Sequence, residues 1–403
     1  MKPNGPIPAG FVSDPKGILL IGGASAELLA AQGTPLFVYD AAHITAQVRR
    51  FRRSIPSVAL HYAVKANPYA PLLKTLSALV DGFDVASAGE FERVAELGLP
   101  ISFAGPGKRD PELEEAIRGG VTLNLESEGE AKRALAIGKR LGIRPKVAIR
   151  VNPPFGLKGA GMKMGGHASP FGIDHERVAP LARAIIDAGA DWRGLHVYAG
   201  SQSLSAEAVI ETHRAILALA ATIAAQVGTA PPELNLGGGF GIPYFAKEGP
   251  LDLECVAIAL AKSLANRHNI LAETKFAIEL GRWLVGGAGV YLTRIVDRKV
   301  SRGKTFLITD GGLHHMLAAS GNFGQLLRRN YPVAIANRFT AGPTEEATIV
   351  GCLCTPLDLL ADEVMLPGAE VGDLVAIFCA GAYGLSASPA AFLTQPAARE
   401  MLV

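Results

Sequence analysis

The chain has 403 residues, 49% hydrophobic and 19% charged, which is enough to bury the cores of two domains or of one large barrel with an extension. A formal net charge of +2, with no block of like charges, argues against nucleic acid or an anionic membrane as the main partner. The four cysteines are too few for a disulfide framework, and their Cys-x-Cys pair lacks the second half of a zinc site, so no metal is expected.

The N-terminal stretch "MKPNGPIPAGF" has no apolar segment of the kind found in secretion signals. No later stretch reaches the roughly 18 consecutive apolar residues that a membrane-spanning helix needs. The sequence therefore predicts a cytoplasmic protein that does not enter a membrane.

Short apolar runs alternate along the chain with stretches whose apolar residues are spaced by three and four. The predicted strands are residues 59–66, 82–86, 101–107, 121–127, 146–152, 194–200, 234–239 and 276–282. Eight such alternations predict an α/β fold, a (β/α)8 barrel within residues 31–285. Strand-like runs with little helical pattern follow, and they predict a mainly β domain made of residues 1–30 and 286–403.

Catalytic groups of such barrels lie at the carboxyl ends of the strands. The residues that fall at or near predicted strand ends are Lys65, Asp84, Arg150, Tyr198, Gly237, Gly238, Gly239 and Glu279. The glycine-rich stretch 153–174 also follows a predicted strand. It is typical of an active-site loop, although a plain surface loop has the same composition.

Lys65 stands at the end of the apolar run "ALHYAVKA". Partial burial destabilises an ammonium group and lowers its pKa, and the neutral amine is a nucleophile. Such an amine forms a Schiff base with a carbonyl substrate or with pyridoxal phosphate. A surface lysine with a buried stem is the alternative interpretation.

Two further features fit pyridoxal phosphate. The glycines of "LNLGGGFG" would let backbone N–H groups approach a phosphate, although a tight turn also uses glycine. Glu279, in "AIELGRW", supplies a carboxylate that would keep a pyridine nitrogen protonated, so that the ring withdraws electrons. A structural ion pair with the neighbouring arginine is the alternative for Glu279.

Ten motifs, in order along almost the whole chain, resemble the fold-type III (alanine-racemase-like) pyridoxal-phosphate enzymes, specifically the diaminopimelate, ornithine and arginine decarboxylase branch. They are "TPLFVYD" 34–40, "YAVKAN" 62–67, "FDVASAGE" 83–90, "GPGK" 105–108, "RVNP" 150–153, "GSQ" 200–202, "GGGFG" 237–241, "ELGR" 279–282, "CLCTPLD" 352–358 and "AGAYG" 380–384. The resemblance implies a pyridoxal-phosphate-dependent decarboxylase with an alanine-racemase-type barrel and a β domain.

The resemblance also implies roles. Lys65 resembles the lysine that binds the cofactor, and Glu279 resembles the partner of its pyridine nitrogen. Asp84 and Arg150 resemble a charged pair near the point of attachment. The other cofactor-binding positions, which are mostly on the phosphate side, are Ser201, Gly237, Gly238, Gly239, Gly281, Arg282 and Tyr383.

A homodimer with shared active sites is implied as well. Cys354 resembles the cysteine that comes from the other subunit and is implicated in protonating the α-carbon after carbon dioxide leaves. Asp358 lies on the same loop and is a candidate substrate-binding residue. Tyr198 stands where the family has a histidine stacked over the cofactor ring. The resemblance therefore implies that Tyr198 stacks on the ring, but not that it relays a proton as the histidine would.

Departures from the diaminopimelate enzymes bear on the substrate. Thr355 replaces an acidic residue, and "DGGLHHMLAAS", with His314 and His315, replaces a segment whose arginine grips the far carboxylate. These three residues are candidate substrate contacts. Free diaminopimelate would leave its distal charges unpaired here, at a cost of roughly several kcal/mol.

The motifs look like those of a biosynthetic-cluster subgroup that includes exosortase-associated decarboxylases. Some members act on an aminoacyl group tethered to an acyl carrier protein, and a tether would remove the distal charge. Basic residues could meet an acidic carrier, although solvated surface charge also explains them. They are Lys158, Lys163, Arg298, Lys299 and Arg302.

Three other interpretations remain open at this point. The enzyme could decarboxylate a free amino acid of the diaminopimelate type, or it could be a racemase on the same fold. It could also be a non-catalytic carrier of the cofactor. The "CTPLD" loop favours decarboxylation, because that loop belongs to the decarboxylase branch.

Overall fold

The structure, a computed structural model, describes residues 1–159, 161–323, 325 and 327–403, without the side chains of Met162 and Lys163. The chain divides into two compact units. The barrel unit comprises residues 48–241 and 250–281, and the β unit comprises residues 1–47, 242–249 and 282–403.

The barrel unit is built on eight parallel strands. They are β1 (Ala59–Ala63), β2 (Gly82–Val85), β3 (Ile101–Phe103), β4 (Thr122–Leu125), β5 (Lys146–Asn152), β6 (Asp191–Val197), β7 (Glu233–Asn235) and β8 (Lys275–Leu280). Each strand pairs with the next, and β8 pairs with β1, which closes the barrel. The predicted (β/α)8 barrel is confirmed, with a strand in each of the eight predicted places.

Helices connect these strands. They are Ala70–Ser77, Ala88–Val94, Asp110–Arg118, Glu128–Leu141, His175–Asp187, Ala206–Val227 and Leu253–Ala265, and helix Ala41–Ser54 precedes β1. Serine hydroxyls at positions 87, 127 and 205 cap three of them by accepting a backbone N–H of the first turn. These caps satisfy donors that a helix start leaves unpaired, and they fix where the loops after β2, β4 and β6 end.

Helix Ala206–Val227 is long and apolar enough to cross a membrane, judged by length and composition alone. Half of its apolar window is buried, and it packs against helices His175–Asp187 and Leu253–Ala265. A core helix of a globular protein has the same composition, so this helix by itself does not indicate a membrane span.

The β unit contains an eight-stranded sheet, which confirms the predicted β-rich domain. Its strands are Leu36–Tyr39, Gly289–Ser301, Lys304–Thr309, Val333–Ile335, Glu345–Val350, Leu359–Leu366, Leu374–Phe378 and Arg399–Leu402. A smaller sheet joins Val12–Ser13, Leu19–Ile21 and Ala24–Ser25, followed by helix Ala26–Ala30. The apolar core of the unit includes Val38, Val290, Leu292 and Phe378.

The unit boundaries differ from the predicted ones, which assigned residues 31–285 to the barrel. Strand Leu36–Tyr39 pairs with Gly289–Ser301 on one side and with Arg399–Leu402 on the other. All four of its residues are buried in this sheet. An apolar run does not reveal which sheet it joins, and residues 31–47 therefore lie in the β unit rather than in the predicted barrel. Residues 242–249 and 282–285 lie in the β unit as well.

Candidate active site

Lys65 lies in the 3-10 turn Val64–Ala66, directly after β1 ends at Ala63. Its Nζ is 3.8 Å from Oδ2 of the buried Asp84, and its side chain is 36% exposed. The same Nζ lies 5.3 Å from the centre of the Tyr198 ring. The amine is thus reachable from outside while it is held between a carboxylate and an aromatic face.

Gly281, directly after β8, lies in close contact with the turn that carries Lys65. A Cβ at position 281 would lie 2.7 Å from the Cβ of Ala66 and 3.0 Å from the carbonyl oxygen of Ala63. Any side chain there would push the lysine-bearing turn away from β8, so the glycine fixes the position of Lys65.

Asp84 comes from the middle of β2 and is fully buried. Ser102 Oγ donates a hydrogen bond of 2.9 Å to its Oδ1. Burial raises the pKa of the Asp84 carboxyl and the nearby Glu279 raises it further, while Lys65 opposes both effects. The charge of Asp84 therefore depends on the cation beside it.

Glu279, on β8, is also buried. Its Oε2 accepts hydrogen bonds from His196 Nε2 at 2.9 Å and from Asn235 Nδ2 at 3.2 Å. Burial acts to raise the pKa of Glu279, but the His196 ring outweighs it, with help from Lys65, and the pKa is lowered to about 2. Glu279 is therefore ionised at neutral pH.

Arg150 and Asp84 were expected as a charged pair, but each has a different partner. Arg150 Nη1 donates to Glu126 Oε1 at 2.7 Å, and its guanidinium lies 5.1 Å from the centre of the Phe171 ring. Asp84 is beside Lys65. A residue type at a strand end does not show which neighbouring strand its side chain leans toward, so the pairing was assigned wrongly.

Glu126 was missed by the sequence reasoning, although it lies near the end of the predicted strand 121–127. Besides Arg150, it accepts backbone N–H groups of Gly105 at 2.6 Å and Gly172 at 2.8 Å. It thereby ties the loops after β3 and β5 to β4 and holds Arg150 in place.

The three glycines after β7 are needed for close backbone packing. A Cβ would lie 2.3 Å from the Val197 oxygen at Gly237, 1.9 Å from the Glu279 oxygen at Gly238, and 2.3 Å from the Gly200 oxygen at Gly239. Strand ends β6, β7 and β8 can therefore converge only if all three positions lack side chains. The segment containing Ser201 is held next to them, because Ser203 donates its N–H to the Gly239 carbonyl at 2.9 Å.

In the β unit, Arg282 is clamped by two tyrosines. Its Nη1 donates to Tyr244 Oη at 2.8 Å, and its guanidinium lies 4.5 Å from the centre of the Tyr383 ring. The Nε of Arg282 has no hydrogen-bond partner within the described residues. Tyr383 has a φ of 53°, which is uncommon for a non-glycine residue. A buried arginine with an unpartnered N–H suits an anion such as a phosphate.

Cys354 is exposed on its loop, and Thr355 is half-buried. Asp358 was expected to bind substrate, but it is buried, and both of its carboxylate oxygens accept backbone N–H groups, from Leu313 at 2.6 Å and Leu353 at 2.8 Å. Its hydrogen-bonding capacity is directed at the protein itself, which the sequence pattern "CTPLD" could not reveal.

His314 and His315 form a buried pair whose ring centres are 3.8 Å apart. His315 is fixed by Tyr291 Oη at 3.1 Å and by the Pro396 carbonyl at 2.9 Å, and burial lowers its pKa to about 4. Burial lowers the pKa of His314 as well. In the part of the chain that the structure describes, neither ring nitrogen of His314 has a hydrogen-bond partner. Both rings are neutral at pH 7.

Among the basic residues considered for a carrier protein, Lys158 pairs with Glu211 at 2.8 Å and Arg298 pairs with Glu345 at 2.7 Å. Lys299 and Arg302 are both exposed at the hairpin between strands Gly289–Ser301 and Lys304–Thr309. The side chain of Lys163 lies outside the described residues.

The groups present fit pyridoxal phosphate. The barrel unit carries an accessible amine, Lys65, and an ionised buried carboxylate, Glu279, whose partner His196 keeps a second ring nitrogen without a partner among the described residues. The β unit carries Arg282 with its unpartnered N–H. In the barrel unit, Lys65 would hold the aldehyde carbon, Glu279 the ring nitrogen and the glycines the phosphate. In the β unit, Arg282 offers an N–H to an anion.

Comparisons with known proteins agree with this chemistry. Residues 41–286 match the family described as pyridoxal-dependent decarboxylase, pyridoxal binding domain. The L-glutamyl-[BtrI acyl-carrier protein] decarboxylase of Niallia circulans is 37% identical over 383 residues, which are 92% of this chain and 88% of that protein. The diaminopimelate decarboxylase of Archaeoglobus fulgidus is 30% identical over 394 residues, 96% of this chain and 92% of that protein.

A solved structure has a similar fold. The diaminopimelate decarboxylase from M. jannaschii in complex with L-lysine has a TM-score of 0.87 and 26% identity, and the match covers 98% of this chain and 93% of that one. Sequence and fold together assign the chain to one family. It belongs to the pyridoxal-phosphate-dependent decarboxylases of the diaminopimelate and ornithine decarboxylase type.

Proposed function

We propose that the enzyme decarboxylates an α-amino acid whose distal carboxyl group is masked as an acyl-carrier-protein thioester, a glutamyl group being the leading candidate. The observation that carries this proposal is that "DGGLHHMLAAS" contains no arginine: Ala318 stands near the arginine position of the diaminopimelate pattern, and the nearby His314 and His315 are neutral. The 37% identity to a carrier-protein-dependent glutamyl decarboxylase supports the same substrate class.

The charge argument is direct. A free distal carboxylate needs a cation or several N–H donors when it is taken out of water. Burial lowers the pKa of both His314 and His315, so neither ring supplies a positive charge at neutral pH. Tyr291 and the Pro396 carbonyl occupy the two ring nitrogens of His315, but neutral His314, whose nitrogens have no partner among the described residues, can donate to an uncharged thioester or amide carbonyl at a much smaller desolvation cost.

Thr355 also supports a substrate with an uncharged distal end. It replaces the acidic residue expected for a substrate with a distal ammonium group. Its hydroxyl accepts a backbone N–H from Leu357 at 3.3 Å, and it offers no charge. A substrate with an uncharged distal end leaves no ion unpaired beside this residue.

In the proposed reaction the bound cofactor supplies the electron sink that makes loss of carbon dioxide from the α-carbon feasible. Lys65 attaches the cofactor covalently, and the Asp84 carboxylate favours the protonated amine when the lysine is released. Glu279, kept ionised by His196, holds the proton on the ring nitrogen. Tyr198 provides the aromatic face beside the amine, and the Cys354 thiol returns a proton to the α-carbon.

We also infer a cytoplasmic homodimer in which the Cys354 loop serves the partner's site. Cys354 and Leu357 are exposed on this loop, Leu357 by 57%, and Asn322 Nδ2 bonds the Leu357 carbonyl at 3.3 Å beside Phe323, which is 43% exposed. Apolar side chains grouped in this way are typical of an interface. Mixing inactive Lys65→Ala and Cys354→Ala chains should restore activity, to about a quarter of wild type for random pairing of two chains. Mixtures as inactive as their components would contradict the shared site.

The substrate proposal is tested by carbon dioxide release from three compounds at equal concentration. They are a glutamyl thioester on an acyl carrier protein, free glutamate and free meso-diaminopimelate. We expect kcat/KM for the carrier-bound compound to be at least about 100-fold higher than for either free amino acid. The reason is that a free amino acid would bury an unpaired distal charge, at a cost of several kcal/mol. Faster release from free diaminopimelate would contradict the proposal, and deuterium uptake at the α-carbon with the carboxylate retained would indicate a racemase.

A further inference from the structure

One buried carboxylate, Asp358, holds two backbone segments at once. Its Oδ1 accepts the N–H of Leu313 at 2.6 Å, and its Oδ2 accepts the N–H of Leu353 at 2.8 Å. Each of these leucines immediately precedes a candidate site residue, namely His314 and Cys354. A single side chain therefore sets the spacing between the histidine segment and the cysteine loop.

Two glycines show how tightly the carboxylate is seated. A Cβ at Gly312 would lie 2.3 Å from Oδ1 of Asp358, and a Cβ at Gly351 would lie 2.3 Å from Oδ2. Neither separation is possible for real atoms, so both backbone segments reach the carboxylate only because they lack side chains there. The Asp358 backbone is tied as well, since its carbonyl accepts the Gly351 N–H at 3.0 Å.

The rest of the cysteine loop is held more weakly. Within Leu353–Leu357 two hydrogen bonds are local, from the Thr355 N–H to the Leu353 carbonyl at 2.8 Å and from the Leu357 N–H to the Thr355 hydroxyl at 3.3 Å, and a long bond of 3.3 Å from Asn322 Nδ2 reaches the Leu357 carbonyl at the far end. Such contacts shape the loop but do not anchor it. The short, charge-assisted bond from the Leu353 N–H to Asp358 fixes it next to Cys354.

We propose that Asp358 is a positioning residue that fixes the Cys354 thiol for protonation of the substrate α-carbon. This inference rests on the proposed decarboxylation and on the role given to Cys354. The carboxyl group accepts the two N–H groups with one oxygen each. An amide in the same place would present its own N–H₂ group to one of them, so one segment would shift.

The chemical consequence is a misplaced proton. With the cofactor bound as electron sink, loss of carbon dioxide would leave an electron pair, and a proton delivered to the α-carbon would give the correct product, the amine. A proton delivered to the cofactor instead would leave the amino nitrogen there, and hydrolysis would release an aldehyde whose oxygen comes from water. The ratio of aldehyde to amine therefore reports where the proton was delivered.

The experiment compares Asp358→Asn holoenzyme with wild type and with Asp373→Asn. Asp373 is a matched control, because it is a buried carboxylate of the same unit that also accepts a backbone N–H, from Glu370 at 2.9 Å. We expect Asp358→Asn to raise the aldehyde fraction at least 10-fold, with cofactor content unchanged, and Asp373→Asn to leave the fraction at the wild-type value. Gly351→Ala, which displaces the same carboxylate, should act like Asp358→Asn.

A second measurement needs no turnover. The alkylation rate of Cys354 by iodoacetamide, measured by peptide mapping, should change at least about threefold in Asp358→Asn. The exposed Cys255 of the barrel unit serves as the internal reference. The inference would be overturned if a folded Asp358→Asn protein gave the wild-type ratio of aldehyde to amine and the wild-type rate of Cys354 alkylation. An absence of carbon dioxide release from wild type would defeat the proposed function instead, and the alkylation result would still decide the position of Cys354.

Discussion

The imidazole Nε2 of His196 lies 2.9 Å from Oε2 of Glu279, and each side chain is only 2% exposed. The histidine outweighs the cost of burying the carboxylate and lowers the pKa of Glu279 to about 2. The barrel thus keeps a permanent negative charge at the end of β8.

Replacing Glu279 with Gln should remove that charge while preserving the shape of the side chain. We expect kcat to fall by about 10²–10⁴-fold, the range found when a positioned acid–base group is lost. Steady-state kinetics with a saturating cofactor concentration would measure the effect. Glu130→Gln is the matched control, since Glu130 is a buried carboxylate of the same unit paired with Lys108 at 2.7 Å, and its effect on kcat should be less than tenfold at saturating cofactor. Equal losses in the two variants would contradict the assigned role.

Arg282 should control cofactor affinity rather than the chemical step. Arg282→Met removes the guanidinium held by Tyr244 and Tyr383, and we expect the Kd for pyridoxal phosphate to rise about 10- to 100-fold, as for the loss of one or two charge-assisted hydrogen bonds. Equilibrium dialysis of the apoenzyme would measure it. Arg294→Met is the control, because that arginine donates to the Gly372 carbonyl at 2.7 Å and should leave the Kd unchanged. An unchanged Kd in Arg282→Met would exclude it as the phosphate anchor.

His213 should make the barrel sensitive to mild acid. Burial lowers the pKa of His213 to about 4, so the folded state keeps the ring neutral while the unfolded chain takes up a proton below pH 6.5. Stability is therefore lost as pH falls from 6.5 to 4, by up to about 3 kcal/mol from this group. Urea unfolding of wild type and His213→Gln at pH 7 and pH 4.5 tests this, and the variant should lose less stability between the two. The same pH dependence in both proteins would contradict it.

Much of the fold could be predicted from sequence because its signals are local. Eight strand and helix alternations require a barrel, and Lys65, Asp84, Arg150 and Glu279 were expected at strand ends because parallel strands place their carboxyl ends on one face. The close packing at Gly237–Gly239 is consistent with the glycine run, although the sequence does not show that neighbouring carbonyls occupy the space of each missing Cβ.

What could not be predicted depends on contacts between distant segments. Strand Leu36–Tyr39 joins the sheet of residues 289–301 and 399–402, which no local pattern encodes. Asp358 was expected to face substrate, but two backbone N–H groups occupy it. The partner of Arg150, Glu126, is 24 residues away, directly after another strand ends. Side-chain direction and long-range pairing decided these cases, and residue type alone specifies neither.

Lys65 is central to the proposed function, because its amine, beside Asp84, is the group proposed to attach the cofactor. The most direct test is borohydride reduction of the holoenzyme followed by peptide mass analysis, with Lys65→Arg as the control that keeps the charge. We predict a pyridoxyl group on Lys65 in wild type and none in the variant, together with a loss of activity of at least about 10³-fold, as when a covalent catalyst is removed. Label on another lysine, or an active Lys65→Arg enzyme, would contradict the account.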